Sequence, residues 1–257
     1  MARSANLETL VTNQFGSQAA AYVASAVHSG GEDLRAMRAE VELRKPAAVL
    51  DLGCGGGHVS FTASPFAGAV AAYDLSTDML AAVAAEAGRR GLDNIVTQQG
   101  SAERLPFADA SFDMVMSRYS AHHWGSVPTA LDEAFRVARP SATLVFADIV
   151  APTQAVNDTF LQSFEMLRDP SHVRDYSVAE WQTMIGRAGF TRVQTELWRL
   201  RIDFTSWIAR MRTPPVFVQA IRALQAAVSD DVRAYFEIEE DGSYTFDTAV
   251  FVAKRPG

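Results

Sequence analysis

The sequence predicts an α/β fold in which helices cover both faces of a mostly parallel sheet. Short apolar segments alternate with helical ones between residues 46 and 150, which is the pattern of successive strand–helix units. A glycine-rich turn at residues 53–57 follows the first apolar segment. The second apolar segment ends in Asp74, about 20 residues after the first glycine, where nucleotide-binding sheets carry an acid. Together these features predict a ligand at the carboxyl ends of the strands.

The individual elements follow from hydrophobic periodicity and from helix and strand boundaries. Helical signals occur at residues 6–26 and 32–43, and Lys45-Pro46 marks the entry into the first strand. The predicted strands are 47–51, 70–74, 95–99, 112–117, 143–149, 191–204 and 242–254. The predicted helices are 78–90, 128–138, 157–167, 178–188 and, interrupted by Pro214-Pro215, most of 205–238.

A single domain spanning residues 1–257 is expected, because this length and a 48% hydrophobic content suit one core. We divide it into an N-terminal helical cap, a cofactor-binding core, a substrate region and a last strand pair: 1–45, 46–150, 151–190 and 191–257. The helical insertion at 205–238 is predicted to lie over the pocket as a lid.

Charge and composition exclude several function classes. A net charge of −7 disfavours binding to nucleic acid, which depends on neutralising phosphates. Cys54 is the one cysteine, so neither a disulfide framework nor a zinc motif is present, and no metal site is predicted. No apolar run approaches the roughly 20 residues of a membrane span, and the first thirty residues lack the basic start and apolar core typical of a secretory signal. We therefore expect a cytoplasmic monomer or homodimer.

Asp51 lies two residues before the first glycine of the turn, and its negative charge distinguishes between the ligands that the turn could bind. The glycines at 53, 55 and 57 let the backbone approach a ligand closely. A diphosphate would be repelled by Asp51, and His58 replaces the third glycine of the nicotinamide fingerprint. S-adenosylmethionine has no phosphate, and its ammonium group favours an acid. With Asp74 able to accept hydrogen bonds from ribose hydroxyls, these residues predict a site for this methyl donor.

At these residues the chain resembles the class I S-adenosylmethionine-dependent methyltransferases, within the UbiE-like and YcgJ-like group. The resemblance covers most of the chain and rests on these blocks: 15–22, 49–61, Gly100 to Phe107, Ser111 to Val115, Arg118 to His123, and Arg168 to Arg174. Ser101 departs from the Asp common in the broader group, and Ser141-Ala142 replaces a usual Gly-Gly pair. The resemblance implies a Rossmann-like, seven-stranded, mostly parallel sheet with an antiparallel last strand. It also implies methyl transfer to a small-molecule acceptor.

Further donor contacts are predicted around the turn and the next strand ends. The adenine is expected between Asp74-Leu75 and the turn Ser101-Ala102-Glu103, although Ser101 could be satisfied within its own loop and Glu103 could cap a turn. Arg118 is expected either to contact the amino-acid carboxylate of the donor or to brace its loop. The complete predicted donor set is Asp51, Gly53, Gly55, Gly57, His58, Asp74, Leu75, Met79, Ser101, Ala102, Glu103 and Arg118.

His122 and His123 follow the fourth strand and are the candidate proton acceptors, because histidine takes up a proton near neutral pH. Tyr119 is the candidate residue to orient one of them or the acceptor. An alternative is that one histidine faces the pocket and the other packs against neighbouring side chains. The acceptor atom, oxygen, nitrogen or carbon, is not resolved by the sequence.

Arg168, His172 and Arg174 are candidates to bind an anionic acceptor, because guanidinium matches carboxylate geometry. Tyr22 is a further candidate acceptor contact, and a lipophilic acceptor is the other possibility that the resemblance suggests. The loop could equally be ordered by Asp169 and Ser171 without touching a ligand. Two other function classes stay open: a donor-binding regulatory protein without turnover, and a nicotinamide-dependent oxidoreductase.

Overall fold

The structure is a computed structural model that describes residues 6–16 and 30–257. Its described part contains a seven-stranded sheet with the strand order β3-β2-β1-β4-β5-β7-β6. The strands are β1 (Ala48–Leu52), β2 (Ala69–Asp74), β3 (Ile95–Gln99), β4 (Phe112–Arg118), β5 (Ala138–Ile149), β6 (Thr191–Ile202) and β7 (Tyr244–Lys254). β7 runs antiparallel to both β5 and β6, and the other pairs are parallel. The predicted sheet is confirmed.

Helices connect the strands, and two further described helices precede β1. The described helices are α1 (Leu7–Gly16), α2 (Glu32–Arg44), α3 (His58–Ala63), α4 (Thr77–Arg90), α5 (Val127–Val137), α6 (Ala155–Arg168), α7 (Val178–Arg187), α8 (Phe204–Met211), α9 (Pro215–Ala227) and α10 (Asp230–Tyr235). Short 3₁₀ turns occupy Ser64–Phe66 and Ala121–His123. Among the described helices, none has both the length and the apolar character needed to cross a membrane.

The strand register brings the predicted site residues to one edge of the sheet. Asp51 pairs with Ala72 on one side and Met116 on the other, and Asp74 pairs with Gln99. Because these strands are parallel, their carboxyl ends and the following turns meet at the same edge. α4 begins directly after this edge, where the Ser76 hydroxyl accepts a hydrogen bond from the backbone N–H of Met79.

The insertion between β6 and β7 folds as three helices, α8 to α10. Their apolar side chains pack with α6 and with the start of β7, in a cluster that includes Phe160, Phe164, Trp207, Ile221, Phe236 and Tyr244. Gln14 of α1 donates to the backbone carbonyl of Met211 at 3.3 Å, which links the insertion to the N-terminal helix. The described contacts therefore place the insertion in a core that it shares with α6 and β7, and its role as a lid stays a prediction.

Candidate active site

A cavity of about 590 Å³ opens at the carboxyl ends of β1, β2 and β4. The turn after β1 forms one wall, and α1 with the residue before it lines another part of the cavity through Asn6, Leu7, Glu8, Val11 and Phe15. Every residue of the predicted donor set lines the cavity except Gly57: Asp51, Gly53, Gly55, His58, Asp74, Leu75, Met79, Ser101, Ala102, Glu103 and Arg118. The structure thus brings together at one cavity residues from four separate sequence blocks.

The glycine-rich turn is held against β2 by two hydrogen bonds. The backbone N–H groups of Gly53 and Cys54 both donate to the Tyr73 carbonyl, at 2.8 and 3.0 Å. Gly53 has φ +69°, and a Cβ there would lie 2.0 Å from the Ser120 hydroxyl. Only glycine allows this turn to pass so close to the chain that follows β4.

Asp51 is a buried carboxylate with one oxygen left for a ligand. Its Oδ2 accepts hydrogen bonds from the backbone N–H and the hydroxyl of Ser60, at 2.9 and 2.6 Å. Its Oδ1 has no hydrogen-bond partner among the described residues. Burial raises the pKa of Asp51 to about 7, against the lowering effect of the Ser60 hydrogen bonds. An unpartnered buried carboxylate oxygen is costly unless a cation or donor group binds it.

Asp74 lies across the turn, at the end of β2. Its two oxygens accept from the backbone N–H groups of Gly55 and Ser76, at 2.8 and 2.9 Å. Burial raises the pKa of this carboxyl group, and the backbone hydrogen bonds oppose the rise. Each carboxylate oxygen keeps a further lone pair, so Asp74 can still accept from a ligand.

Ser101 and Glu103 form a small hydrogen-bonded unit beside the cavity. The Ser101 hydroxyl donates to one oxygen of Glu103, and the other oxygen accepts from the backbone N–H of Ser126 at 3.1 Å. Tyr73 also holds this turn, because its hydroxyl lies 3.2 Å from the backbone carbonyls of both Ser101 and Arg104 and can donate to either. Glu103 therefore caps a neighbouring turn while also lining the cavity.

Arg118 braces the N-terminal region as well as lining the cavity. Its guanidinium forms a buried ion pair with Asp33 of α2 and donates to the Gly30 carbonyl at 3.2 Å. It also lies over the ring of Tyr119, 4.8 Å from the ring centroid. Tyr119 lines the cavity with φ +50°, and burial raises the pKa of its phenol.

The two adjacent histidines have different environments. His123 lines the cavity, where its ring meets Phe15 edge to face at 4.9 Å, and its Nδ1 lies 3.2 Å from the Ser171 carbonyl. Burial and the neighbouring His122 lower the pKa of His123 to about 4. His122 does not line the cavity and contacts Asp148, with Nδ1 2.6 Å from Oδ1. Burial lowers the pKa of His122, but the interaction with Asp148 has the larger effect and raises the pKa of His122 to about 9.

The cationic residues predicted to bind an acceptor do not line the cavity. Arg168 stacks on Trp207 at 4.9 Å and lies 3.7 Å from a Glu165 oxygen. The other two also have partners within the protein: His172 contacts Gln162 at 2.9 Å, and Arg174 contacts Asp158 at 3.1 Å. Burial lowers the pKa of His172 to about 2. Tyr22 lies outside the described residues.

Several residues at or near the site were not predicted from the sequence. Ser120 lines the cavity, and its hydroxyl accepts a hydrogen bond at 3.2 Å from Trp124, whose place in an aromatic wall the sequence did suggest. Asp148 is buried beside the histidines at the end of β5. A signal for Asp148 was present, because an acid ends an otherwise apolar strand just as Asp51 and Asp74 do.

Comparison with known proteins identifies the family. A model of the methyltransferase domain matches residues 50–146. The uncharacterized protein YafE of Escherichia coli (strain K12) is 47% identical over 77% of this chain and 96% of its own length. The uncharacterized methyltransferase YcgJ of Bacillus subtilis (strain 168) is 36% identical over 88% of this chain and 90% of its own.

Solved structures agree with these sequence matches. The crystal structure of YcgJ has a TM-score of 0.83 at 33% identity, covering 88% of this chain and 98% of that one. A putative methyltransferase from Bacillus halodurans has a TM-score of 0.85 at 29% identity, covering 88% and 100%. With the cavity, the two strand-end acids and the sheet order described above, the chain belongs to the class I S-adenosylmethionine-dependent methyltransferases.

Proposed function

We propose that the enzyme methylates a small lipophilic acceptor that carries one ionisable hydrogen and binds between α1 and the Ala121–His123 turn. One observation carries this proposal: α1 and the chain after β4 contribute apolar and aromatic side chains to the cavity lining, namely Leu7, Val11, Phe15, Tyr119 and Trp124, and the Phe15 ring contacts His123. The three cationic residues predicted to bind an anionic acceptor, Arg168, His172 and Arg174, do not line the cavity and have partners elsewhere in the protein. The acceptor atom stays open between oxygen, nitrogen and carbon.

Asp51 is the proposed partner of the donor's ammonium group. Its Oδ1 has no hydrogen-bond partner in the described part of the chain, and the side chain lines the cavity while the residue is 1% exposed. A cation at this position would satisfy the oxygen and stabilise the ionised carboxylate. S-adenosylmethionine fits this requirement, because it presents a positively charged group and no phosphate to the turn.

Asp74 is the proposed partner of the ribose hydroxyls. Its position at the end of β2 matches that of the ribose-binding acid in other nucleotide-binding sheets. Leu75, Ser101 and Ala102 lie beside it along the cavity and suit the apolar and polar edges of the adenine. His58 and Met79 complete the proposed donor contacts from α3 and α4.

The donor, when bound, supplies a methyl carbon activated by its sulfonium. The acceptor's electron pair would form the new bond to that carbon, and the carbon–sulfur electrons would return to sulfur. The protein's contribution is mainly alignment, worth roughly 7–11 kcal/mol in well-oriented reactions. α1 and the turn after β1 line the cavity in which the two reactants would be aligned.

His123 is the proposed transient acceptor of the proton that leaves the methylated group: its lowered pKa keeps the ring unprotonated near neutral pH, and Asp169, with Oδ2 3.9 Å from Nε2, would stabilise the protonated ring. Its Nδ1–H can donate to the Ser171 carbonyl at 3.2 Å, which leaves the lone pair on Nε2. We expect His123→Gln to lower turnover by roughly 10²–10⁴-fold with little change in donor affinity. Equal losses of turnover and donor affinity would instead indicate a role in pocket structure.

Formation of S-adenosylhomocysteine tests the proposal. The purified protein is incubated with the donor and with metabolite fractions separated by polarity, and product is measured by mass spectrometry. We expect product with lipophilic fractions and none with the Asp74→Ala variant at low donor concentration. Product with anionic fractions alone would overturn the acceptor class.

Two other results would change the function itself. Calorimetric donor binding without product in any fraction would favour a regulatory protein. Tighter binding of NAD than of S-adenosylmethionine would favour an oxidoreductase. Light scattering on the same preparation tests the expected monomer or homodimer.

A further inference from the structure

A second cluster of ionisable side chains lies beside the Ala121–His123 turn and is not part of the donor cavity. His122, Asp148 and Asp175 each offer one ligand atom, and these three atoms lie within 4.8 Å of one another. Three different segments supply them: the turn after β4, the end of β5 and the loop before α7. Asp148 and Asp175 are 2% and 1% exposed.

The carboxylates of this cluster have too few hydrogen bonds. Both oxygens of Asp175 and Oδ2 of Asp148 have no partner among the described residues. Each unsatisfied buried polar group costs on the order of 1–3 kcal/mol, and more when it is charged. Buried carboxylates normally persist only when they are paired or coordinate a metal.

The nearby cations are already engaged with other groups. Arg168 lies against Glu165 and Trp207, and Arg174 lies against Asp158 and Glu180. The imidazole of His172 has Nε2 3.9 Å from an Asp175 oxygen, and the same nitrogen contacts Gln162 at 2.9 Å. These side chains therefore do not neutralise Asp148 and Asp175 together.

We propose that His122, Asp148 and Asp175 bind one divalent first-row transition-metal ion, such as Zn²⁺ or Mn²⁺. Two carboxylates and a neutral imidazole neutralise a divalent ion, which lowers the cost of burying all four groups. One nitrogen and two oxygen ligands suit these ions better than Ca²⁺ or Mg²⁺, which favour oxygen alone. The ion replaces the proton that His122 and Asp148 share in their 2.6 Å hydrogen bond.

Such an ion would tie three segments together at the edge of the acceptor region. The loop at 169–175 would be fixed to the ends of β4 and β5, next to His123. The same loop already contacts this turn, because the backbone N–H of Val173 donates to the His122 carbonyl at 2.8 Å. The ion would therefore stabilise the fold here, whatever the acceptor is.

Metal binding to untagged protein tests the inference without an acceptor or a turnover assay. The protein is dialysed against a chelator and then given Zn²⁺ or Mn²⁺ alone. Stoichiometry is measured by mass spectrometry of the desalted protein for zinc and by electron paramagnetic resonance for manganese. We expect one equivalent of at least one of these ions per chain and a higher unfolding temperature with that ion than after chelation.

Variants locate the site. Asp175→Asn keeps the side-chain shape but removes a charged ligand, and we expect it to weaken metal binding by at least about 10-fold. Asp132→Asn, at an exposed position on α5, is the matched control and should bind like the unaltered protein. Circular dichroism and donor calorimetry verify that each variant is folded, and His122→Gln is the second ligand variant.

The outcomes are distinct from those for methyl transfer. No bound zinc or manganese in the unaltered protein would overturn the inference and would mean that protons satisfy the carboxylates. Unchanged metal binding in both folded ligand variants would also overturn it, because the ion would then bind elsewhere. Neither result depends on whether the enzyme turns over a lipophilic acceptor.

Discussion

The Asp51 carboxyl group is easier to protonate than an ordinary aspartate, and this has a consequence for donor binding. Burial raises its pKa from 3.8 to about 7, so near neutral pH it is only partly ionised. Asp74 adds to this rise and Arg118 opposes it. Because the raised pKa belongs to the folded state, stability associated with this group falls as pH rises from about 4 to about 7. A bound cation would compensate for that loss.

We expect donor affinity to increase about tenfold between pH 6 and pH 8, because the ionised form of Asp51 binds the ammonium group. Calorimetric titration with S-adenosylhomocysteine at several pH values measures the change. Asp51→Asn should bind the ligand weakly and lose most of this pH dependence. Equal pH dependence in the variant and the unaltered protein would contradict the assignment.

Removing the Asp74 carboxylate should weaken donor binding by about 1–3 kcal/mol, the scale of hydrogen bonds to a charged group. The variant Asp74→Ala also frees the N–H groups of Gly55 and Ser76, so its unfolding free energy is measured in parallel. Asp93→Ala, at an exposed turn, is the control. Unchanged donor affinity in folded Asp74→Ala would exclude the ribose contact.

The strand-end acids could be predicted from the sequence because strand register fixes where they lie. Asp51 and Asp74 end parallel neighbours, so their positions follow once the strands are identified. Arg168, His172 and Arg174 lie in and beside a loop, where spacing does not determine side-chain direction. The direction of the Arg168 side chain depends on Trp207, which is far away in sequence. The direction of the His172 side chain depends on Gln162, which belongs to another element.

At the scale of elements, two glycines of the glycine-rich turn have different roles, which the sequence pattern alone does not distinguish. A Cβ on Gly57 would lie 2.9 Å from Val83 and 3.0 Å from Phe61, and the residue has φ +80°. A Cβ on Gly55, with φ +47°, would meet nothing within 4 Å. Gly57 is therefore a packing position at the start of α3, and Gly55 faces the cavity.

Alanine substitutions at the two positions should have different effects. Gly57→Ala is expected to lower the free energy of unfolding by about 1–3 kcal/mol, through the left-handed backbone and the contacts with Val83 and Phe61. Gly55→Ala should destabilise less and weaken donor binding more, because its methyl group enters the cavity. Urea denaturation and donor calorimetry on both variants measure the two effects. Similar profiles for the two variants would show that the turn acts as one unit.

Element boundaries were predicted less well than element order. β5 begins at Ala138, earlier than the predicted start at residue 143, even though Pro140 and Ser141 read as a turn. Ala138 pairs with Phe112 ahead of a register shift, and Ser141 has φ +67°. An irregular strand start of this kind depends on its partner strand and is not visible in local periodicity.

At the scale of the whole molecule, the described apolar side chains form distinct clusters. The sheet carries clusters on both faces, centred on residues such as Leu50 and Val49, and the insertion shares a further cluster with α6 around Phe164 and Phe236. None of the residues that line the donor cavity comes from α8, α9 or α10. The insertion's stability can therefore be altered separately from donor binding, which allows its predicted role as a lid to be tested.

Phe236 is 0% exposed, and its ring centroid lies 5.2 Å from that of Phe160 and 6.1 Å from that of Phe164. We expect Phe236→Leu to lower the free energy of unfolding by on the order of 1–2 kcal/mol, because the smaller side chain leaves the cluster underpacked. Donor affinity, measured by calorimetry, should stay within about twofold, since the cluster contributes nothing to the cavity wall. Val216→Ala, at an exposed position of the same insertion, is the control for stability. A large loss of donor affinity in folded Phe236→Leu would show that the insertion does govern the pocket, acting through its contact with Gln14 of α1.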